Sequence, residues 1–232
     1  KRLGDKCETQ KCWSEQKFIK HMKNISRSEL GKYTHRPDGP EGRFEWLNTI
    51  HINEVMEQYE NKNPSFKFMG AVPIDFDKFE RFGIKNLNYN DMLNKGKHQL
   101  GFIFNLDEHD QPGSHWVALY ANLKDGQVYF FDSYGTRPEE RIRTLMRRIA
   151  NWYKTTNGKV SGGGSSKLHV TYNRTRHQYE NSECGVYSIN FIARLLKGET
   201  FDQICGKKLP DRKVNKCRNV YFGNVDIKGN EK

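Results

Sequence analysis

The segment "HQYENSECGVYSINFIARLL", residues 177 to 196, joins a polar stretch to an apolar one. From residue 186 onward, apolar residues recur at positions 186, 189, 192, 193 and 196, the 3.6-residue period of a helix with one buried face. Cys184 and Gly185 stand where the polar approach ends and this periodic pattern begins. The pattern therefore predicts a core helix with Cys184 at its N-terminus.

Two interpretations of Cys184 are open at this point. A free cysteine is usually buried and behaves as a small, unreactive apolar side chain. A helix N-terminus, however, provides unpaired N–H groups and a partial positive charge, which favour the thiolate. Gly185 lacks a Cβ and would let a substrate backbone approach, and the polar "ENSE" predicts a sulfur near solvent. A nucleophile also needs a base and a group that orients the base.

The composition indicates a folded protein. The chain has 232 residues, enough for one large domain or two small ones with a sizeable core. Aromatic residues make up 12% of the chain, which argues against disorder. No apolar run approaches the ~20 residues of a membrane span and no signal peptide is visible, so we expect no membrane partner. Five sparse cysteines favour a reducing compartment over a disulfide framework.

The net charge of +11, from 39 basic and 28 acidic residues, has two interpretations. A basic surface raises the affinity for nucleic acid, which is therefore a possible partner. A lysine-rich surface that only keeps the protein soluble explains the same charge. Most of the positive residues are scattered, apart from those in segments 137–148 and 206–218.

The pattern along the chain predicts three strands, then a helix and then another extended piece. Residues 99–106 form a nearly unbroken apolar run, and 115–123 and 127–135 flank the turn sequence "KDG" as a hairpin would. Residues 138–154 read as an amphipathic helix, and 167–178 as an extended piece that leads to Cys184. Residues 1–43, with a possible helix from Ser14 to Met22, are expected to be an extension or small helical subdomain. Residues 44–232 are expected to be the main domain, with "SGGGSS" (161–166) as a surface linker.

His115 and Asp132 are the candidate base and orienting group. His115 opens one predicted strand and Asp132 follows the apolar residues of the next, so both lie at a rim of the sheet. A two-residue turn at Asp125–Gly126 would pair Asp132 with Leu119 and leave His115 about 13 Å away along the strand. The two side chains meet only if the connection is longer or if a bulge shifts the register.

Several motifs resemble the ubiquitin-like-protein (SUMO/sentrin) proteases, whose clan includes adenovirus-type proteases. These are "HW" at 115–116, "FFDS" at 130–133 and Q-x5-C-G from 178 to 185, in the family's order His…Asp…Gln…Cys. "WLNT" at 46–49 is similar to the family's "WLND", with Thr49 in place of Asp, and 210–222 is similar to its closing helix. "RHQYENSECGVYS" and "INEVMEQY" resemble the maturation proteases of large cytoplasmic DNA viruses, such as African swine fever virus and giant-virus relatives.

The resemblance implies an α+β fold with a central, mainly antiparallel sheet flanked by helices. It also implies a cysteine protease that needs no cofactor. The implied roles are nucleophile for Cys184, base for His115, orienting acid for Asp132, oxyanion donor for Gln178, roof of a narrow groove for Trp116 and substrate contact for Asn48.

A groove that admits only glycine implies a protein substrate cleaved at Gly-Gly-X or Gly-X-Gly sites. The resemblance to viral proteases implies an endopeptidase that processes structural precursors, acting in the host cytoplasm and the virion. The alternative is an isopeptidase that removes folded ubiquitin-like modifiers inside the cell. Acyl transfer to an amine is a further possibility, although related acyltransferases usually carry Glu at the position of Asp132.

Two other classes of protein, a zinc-binding protein and an inactive binding module, are also open. Cys7 and Cys12 with His21, or Cys205 with Cys217, could ligate zinc, but neither pair has C-x2-C spacing, so no metal site is expected. A binding module without activity would not need the intact set of His, Asp, Gln and Cys.

Overall fold

The computed structural model describes residues 36–42, 44–157 and 167–223. The predicted helix from Ser14 to Met22, Cys7, Cys12, His21 and the "SGGGSS" segment lie outside the described residues. The strands are β1 (Phe66–Pro73), β2 (Gln99–Asn105), β3 (Trp116–Asn122), β4 (Gln127–Phe131) and β5 (His169–Tyr172). The α-helices are α1 (Thr49–Lys62), α2 (Tyr89–Asn94), α3 (Glu140–Asn157), α4 (Cys184–Leu196), α5 (Phe201–Cys205), α6 (Asp211–Asn215) and α7 (Arg218–Tyr221), and two 3₁₀ turns (Phe76–Lys78 and Glu80–Phe82) follow β1.

The five strands form one sheet in chain order, β1-β2-β3-β4-β5. The pairs β2–β3 and β3–β4 are antiparallel, whereas β1–β2 and β4–β5 are parallel. The predicted α+β class is confirmed, but the sheet is mixed rather than mainly antiparallel. The reason is that long connections containing α2 and α3 return the chain across the sheet, as parallel pairing requires.

Helices cover both faces of the sheet, and the central strand β3 is buried along its whole length. Alternate residues of β3 enter different cores, as the two-residue period of a strand requires. Trp116, Ala118 and Tyr120 pack with α1 and α4. Val117, Leu119 and Ala121 pack with α3 on the other face. Helix α4 therefore lies directly against the central strand, as its apolar period predicted.

The β3–β4 connection has four residues, 123–126, because Asn122 pairs with Gln127. The side-chain oxygen of Asn122 accepts hydrogen bonds from the backbone N–H groups of Lys124 and Asp125 (3.1 and 3.2 Å), which fixes the longer turn. Continuing this register places Asp132 opposite Val117 rather than Leu119. The longer connection, one of the two arrangements left open by the sequence, thus moves Asp132 two residues closer to His115.

One edge of the sheet collects the chemistry-bearing residues. The carboxyl ends of β1, β2, β4 and β5 and the amino end of β3 all meet there, given the strand directions. His115 directly precedes β3 and Asp132 directly follows β4. The chain that leaves β5 at this edge then runs to Cys184 at the start of α4.

The closing segment 210–222 is two short helices, α6 and α7, rather than the single helix that the resemblance implied. Between them the N–H of Cys217 bonds to the carbonyl of Val214 (2.9 Å), a tight three-residue step that rotates the second helix. This rotation lets Val214 and Tyr221 both reach the core. Within the described ranges, no helix is long and apolar enough to cross a membrane.

Candidate active site

Cys184 is the first residue of α4, as predicted, but its sulfur is not near solvent: only 2% of the residue is exposed. Cys184 lies in the core cluster that contains Leu47 and Trp116. Gly185 also has a different role from the expected one. A Cβ on Gly185 would lie 3.0 Å from the Cβ of Leu47, so the glycine allows close packing rather than substrate approach. A substrate must therefore reach the sulfur between the residues that cover it.

The structure brings His115 and Asp132 together. Nε2 of His115 lies 2.6 Å from Oδ1 of Asp132, and both residues are buried. The same carboxylate oxygen accepts the backbone N–H of Tyr134 (2.9 Å). The ring of Tyr134 stacks on the imidazole, with centroids 4.5 Å apart and an interplanar angle of 8°. The imidazole is thus held by its edge and by its face.

The surroundings of His115 favour the imidazolium. Burial lowers the pKa of His115, but hydrogen bonds with Asp132 and Cys184 outweigh it and raise the pKa to about 9. Because Nε2 faces Asp132, Nδ1 is the nitrogen left for Cys184. At neutral pH the imidazole therefore carries its proton beside the sulfur of Cys184.

Asn173 holds the backbone of Asp132 in place. Its Oδ1 accepts the Asp132 N–H (2.8 Å), and its Nδ2 donates to the Asp132 carbonyl (2.8 Å). Asn173 directly follows β5 and is 1% exposed. Sequence reasoning missed this residue. The available signal was a polar side chain within the predicted extended segment 167–178, which leads to Cys184.

The side chain of Gln178 is completely buried and firmly oriented. Its Oε1 accepts the hydroxyl of Ser133 (2.6 Å), and its Nε2 donates to the carbonyl of Glu180 (2.8 Å). The carbonyl of Ser133 also accepts the backbone N–H of Gln178 (3.0 Å). An amide nitrogen has two N–H groups, and the bond to Glu180 is the one described for this nitrogen. Ser133 is the orienting partner that the sequence did not suggest.

The two predicted substrate-contacting residues, Trp116 and Asn48, both lie next to Leu47. The indole N–H of Trp116 donates to the Leu47 carbonyl (2.8 Å), and the ring is 5% exposed. Asn48 caps helix α1, because its side-chain oxygen accepts the N–H of His51 (2.9 Å). This capping gives Asn48 a structural role that sequence reasoning had not assigned. Its contact with substrate, like that of Trp116, stays a prediction.

A buried polar network lies behind Cys184. The guanidinium of Arg218, a residue with 0% exposure, donates to the carbonyl of Ser182 (3.0 Å) and to Oδ1 of Asn215 (3.1 Å). Asn215 in turn donates to the carboxylate of Glu183 (2.9 Å), the residue before Cys184. Burial lowers the pKa of Arg218, and the nearby Glu183 and Cys184 raise it. The network ties α6 and α7 to the start of α4, and no local sequence pattern indicated it.

The cysteines considered as zinc ligands show no metal site where the structure describes them. Burial raises the pKa of Cys205 to about 12, so this side chain remains a thiol. Cys217 is half-buried and contacts Nδ2 of Asn190 (3.5 Å). In the described ranges, no group of three His, Cys, Asp or Glu side chains is placed to hold a metal ion.

Residues 34–226 match the Ulp1 protease family, C-terminal catalytic domain. The chain therefore belongs to this family and is a cysteine protease, which confirms the resemblance seen in the sequence.

Two relatives that match nearly the whole chain are viral proteins. Protein R355 of Acanthamoeba polyphaga mimivirus, whose name describes a thiol protease, is 39% identical over 228 residues, covering 98% of this chain and 73% of the relative. Cysteine protease S273R of African swine fever virus (isolate Tick/Malawi/Lil 20-1/1983) is 24% identical over 246 residues, covering 94% and 85%.

Two solved structures support the fold. The crystal structure of the African swine fever virus pS273R protease has a TM-score of 0.71 at 18% identity, over 95% of this chain and 84% of that chain. The SUMO protease Ulp1 with its catalytic cysteine oxidized to a sulfenic acid has a TM-score of 0.52 at 16% identity, over 77% and 76%. These likenesses confirm the SUMO-protease-like fold.

Proposed function

We propose that this cysteine protease is an endopeptidase that cleaves structural precursors of a virus at Gly-Gly-X or Gly-X-Gly sites. The observation that carries the proposal is the position of His115, which bonds to Asp132 at 2.6 Å and also to Cys184 at the start of α4. A base, its orienting acid and a nucleophile in contact are the parts that covalent peptide hydrolysis needs.

In the proposed mechanism, the Cys184 thiolate attacks the peptide carbonyl while His115 holds the proton. As the tetrahedral intermediate collapses, His115 gives this proton to the departing amine and the acyl group remains on the sulfur as a thioester. His115, now neutral, takes a proton from water, and the hydroxide attacks the thioester. The acid product leaves, and the Cys184 thiolate and the protonated His115 are restored. Asp132 keeps Nε2 of the imidazole protonated throughout.

Gln178 is the proposed oxyanion donor, together with the backbone N–H of Cys184. Ser133 fixes the carboxamide so that its nitrogen points away from the hydroxyl, and the second N–H of Nε2 has no partner among the described contacts. A donor that is oriented before the reaction stabilises the developing charge without reorganisation.

The proposed glycine selectivity comes from the wall formed by Trp116 and Leu47. The indole is fixed by its hydrogen bond to the Leu47 carbonyl, and Leu47 packs against Gly185 beside the sulfur. Because Cys184 is almost fully covered, a substrate strand must thread a narrow passage. Glycine, without a side chain, is the residue that such a passage admits.

The proposed setting is the host cytoplasm and the assembling virion, since R355 and S273R are viral proteins. We further propose that residues 44–232 form the protease core, preceded by an extension or small subdomain over residues 1–43. The second candidate function is removal of a folded ubiquitin-like modifier, and one relative from African swine fever virus (isolate Pig/Kenya/KEN-50/1950) is named SUMO-1 cysteine protease S273R.

The test offers the purified protein a library of Gly-Gly-X and Gly-X-Gly peptides beside intact SUMO and ubiquitin precursors. We expect peptide cleavage, absent in Cys184→Ala and retained in Cys217→Ser, a half-buried cysteine away from His115. Cleavage of folded precursors with all peptides ignored would refute the maturation role and support the second candidate. Activity in Cys184→Ala would refute the nucleophile itself.

A further inference from the structure

A row of stacked rings and cations starts at His115 and runs outward across the surface. Tyr134 stacks on the imidazole at 4.5 Å, and the guanidinium of Arg176 lies 5.3 Å from the Tyr134 ring centroid. Arg176 is also 4.7 Å from the ring centroid of Tyr179, and Nζ of Lys208 is 3.6 Å from the same centroid. We refer to Tyr134, Arg176, Tyr179 and Lys208 as the cation–aromatic row.

The members of this row are accessible. Tyr134 is 37% and Tyr179 is 56% exposed. Arg176 and Lys208 are exposed as well. In the part of the chain that the structure describes, neither cation lies within ion-pair distance of a carboxylate. Asp211, which is close in the fold, instead accepts the backbone N–H of Tyr179 (2.9 Å).

The two cations share one aromatic ring, so they contribute two like charges to a small surface. Cation–π contacts hold them in place, and Nε of Arg176 also donates to the carbonyl of Gln178 (2.9 Å). None of the contacts within the row pairs either cation with a carboxylate. An anionic group placed beside Tyr179 would relieve their repulsion and complete the arrangement.

The position of His115 at the start of the row indicates which residues of a substrate would contact the row. In the mechanism proposed above, His115 protonates the amine of the first residue after the cleaved bond. The chain that follows this amine must therefore begin at the imidazole, where the row also begins. Each of the four steps of the row measures 3.6–5.3 Å, so an extended peptide at about 3.3 Å per residue would follow it for about five residues.

We propose that the cation–aromatic row binds acidic side chains of the protein substrate, located between the second and the sixth residue after the cleaved bond. This inference rests on the proposed function and adds a second determinant of specificity to the glycine passage. A peptide fits better than nucleic acid, because the row is one side chain wide and begins at the catalytic imidazole. A phosphate backbone is usually held by a larger set of cations.

The test compares two Gly-Gly-X peptides that carry Glu or Gln at positions three and four after the cleaved bond. We expect kcat/KM to favour the Glu peptide by about three- to tenfold at low salt, the size of two partly exposed charge contacts, and to lose the preference as salt rises. Lys208→Gln should reduce the preference. Lys208→Glu should reverse it towards a Lys peptide, which a merely structural lysine would not do.

Lys95→Gln is the matched control, since Lys95 is exposed and follows α2 at the opposite edge of the sheet. It should keep both the activity and the preference. Equal rates for the Glu and Gln peptides in the wild-type chain, or a preference unchanged in Lys208→Glu, would overturn the proposal. A preference for Glu placed before the cleaved bond instead would also overturn it.

Direct binding of the same peptides to Cys184→Ala separates this proposal from the proposed function. If the wild-type chain cleaves neither peptide, the cleavage-site assignment is wrong. The row is still supported if the Glu peptide binds more tightly and Lys208→Gln removes the difference, and it is refuted if the two bind equally. A single-stranded oligonucleotide that competes through Arg176 and Lys208, without any Glu preference, would assign the row to nucleic acid and refute the peptide.

Discussion

The structure contains two histidine–aspartate pairs of nearly equal length at the same edge of the sheet. Nε2 of His115 lies 2.6 Å from Asp132, and Nδ1 of His109 lies 2.7 Å from Asp75. Asp75 follows β1 and Asp132 follows β4, so strands β2 and β3 separate the two carboxylates. Both carboxylates are almost fully buried. A histidine–aspartate hydrogen bond alone is therefore not a sign of catalysis in this molecule.

The two carboxylates are alike in burial, whereas the two histidines differ in burial and in their contacts. The His109 side chain is 42% exposed, whereas that of His115 is 10% exposed and bonds to Cys184 with its other nitrogen. The ring of His109 meets the edge of Phe79 at 4.7 Å, and no cysteine is among its contacts within the described residues. The comparison shows that burial of the imidazole and a third reactive group distinguish the proposed catalytic pair.

Replacing the carboxylate should give the largest difference in kcat between the two pairs. We expect Asp132→Asn to lower kcat by about 10³- to 10⁴-fold with a small change in KM, because the imidazole loses its orientation and the partner of its charge. Asn173 holds the backbone at this position, so the fold should persist. Peptide cleavage and circular dichroism would measure both effects.

Asp75→Asn is the matched control and should leave kcat within about twofold, since His109 contacts no part of the proposed mechanism. Comparable losses of kcat in the two variants would show that the distinction drawn from burial is wrong.

Replacing the proposed oxyanion donor should cause the next largest loss of kcat. Gln178→Ala should lower kcat by about 10²- to 10³-fold, the loss usually seen for one such donor. Ser133→Ala should cost less, because the hydroxyl only orients the carboxamide, which keeps its bond to Glu180. Single-turnover kinetics on a Gly-Gly-X peptide would rank the two. A larger loss in Ser133→Ala than in Gln178→Ala would argue against the oxyanion role.

Local sequence patterns predicted much of the fold. The apolar period after Cys184 specified α4, and the runs at 99–106 and 115–123 specified β2 and β3 within one residue at each end. The strand predicted to end at residue 135 stops at Phe131, because Asp132 and Ser133 turn their backbones towards Asn173 and the 177–178 segment. The short helices α2 and α5 were not predicted, since five or six residues carry too little periodicity.

What the sequence could not supply were contacts between distant segments. The pairing of His115 with Asp132 depended on the side chain of Asn122, which selects the four-residue turn. The second pair, His109 with Asp75, spans 34 residues and carries no local signal. Arg218 and Glu183 are 35 positions apart and meet through Asn215. Such partners follow from the packing of the whole chain rather than from spacing.

The two pairs should also differ in the pH range where they stabilise the fold. The pKa of His115 is raised from 6.5 to about 9, so its contribution to stability is complete below pH 6.5 and is lost as the pH rises through about 9. The stability of the wild-type chain relative to Asp132→Asn should therefore fall by about 2–3 kcal/mol over this range. Urea unfolding of both proteins from pH 6 to 9.5 would measure this change. A difference in unfolding free energy that stays constant over the range would contradict the prediction.

The Asp75–His109 pair should have a smaller effect on stability, and this effect should change at acid rather than alkaline pH. Burial raises the pKa of Asp75, but hydrogen bonds from the side chain and backbone of His109 outweigh it, and the pKa lies below its usual value of 3.8. Its contribution is therefore present above pH 3.8 and is lost as the pH falls through the lowered pKa.

We expect the wild-type chain to be about 1 kcal/mol more stable than Asp75→Asn at neutral pH, because the partners His109 and Lys78 are partly exposed and screened by solvent. This difference should shrink as the pH falls below 3.8. Urea unfolding of the wild-type chain and of Asp75→Asn from pH 3 to 7 measures this difference. A difference for Asp75→Asn that vanishes at alkaline rather than acid pH would mean that the imidazole, and not the carboxylate, controls this pair as it does the other.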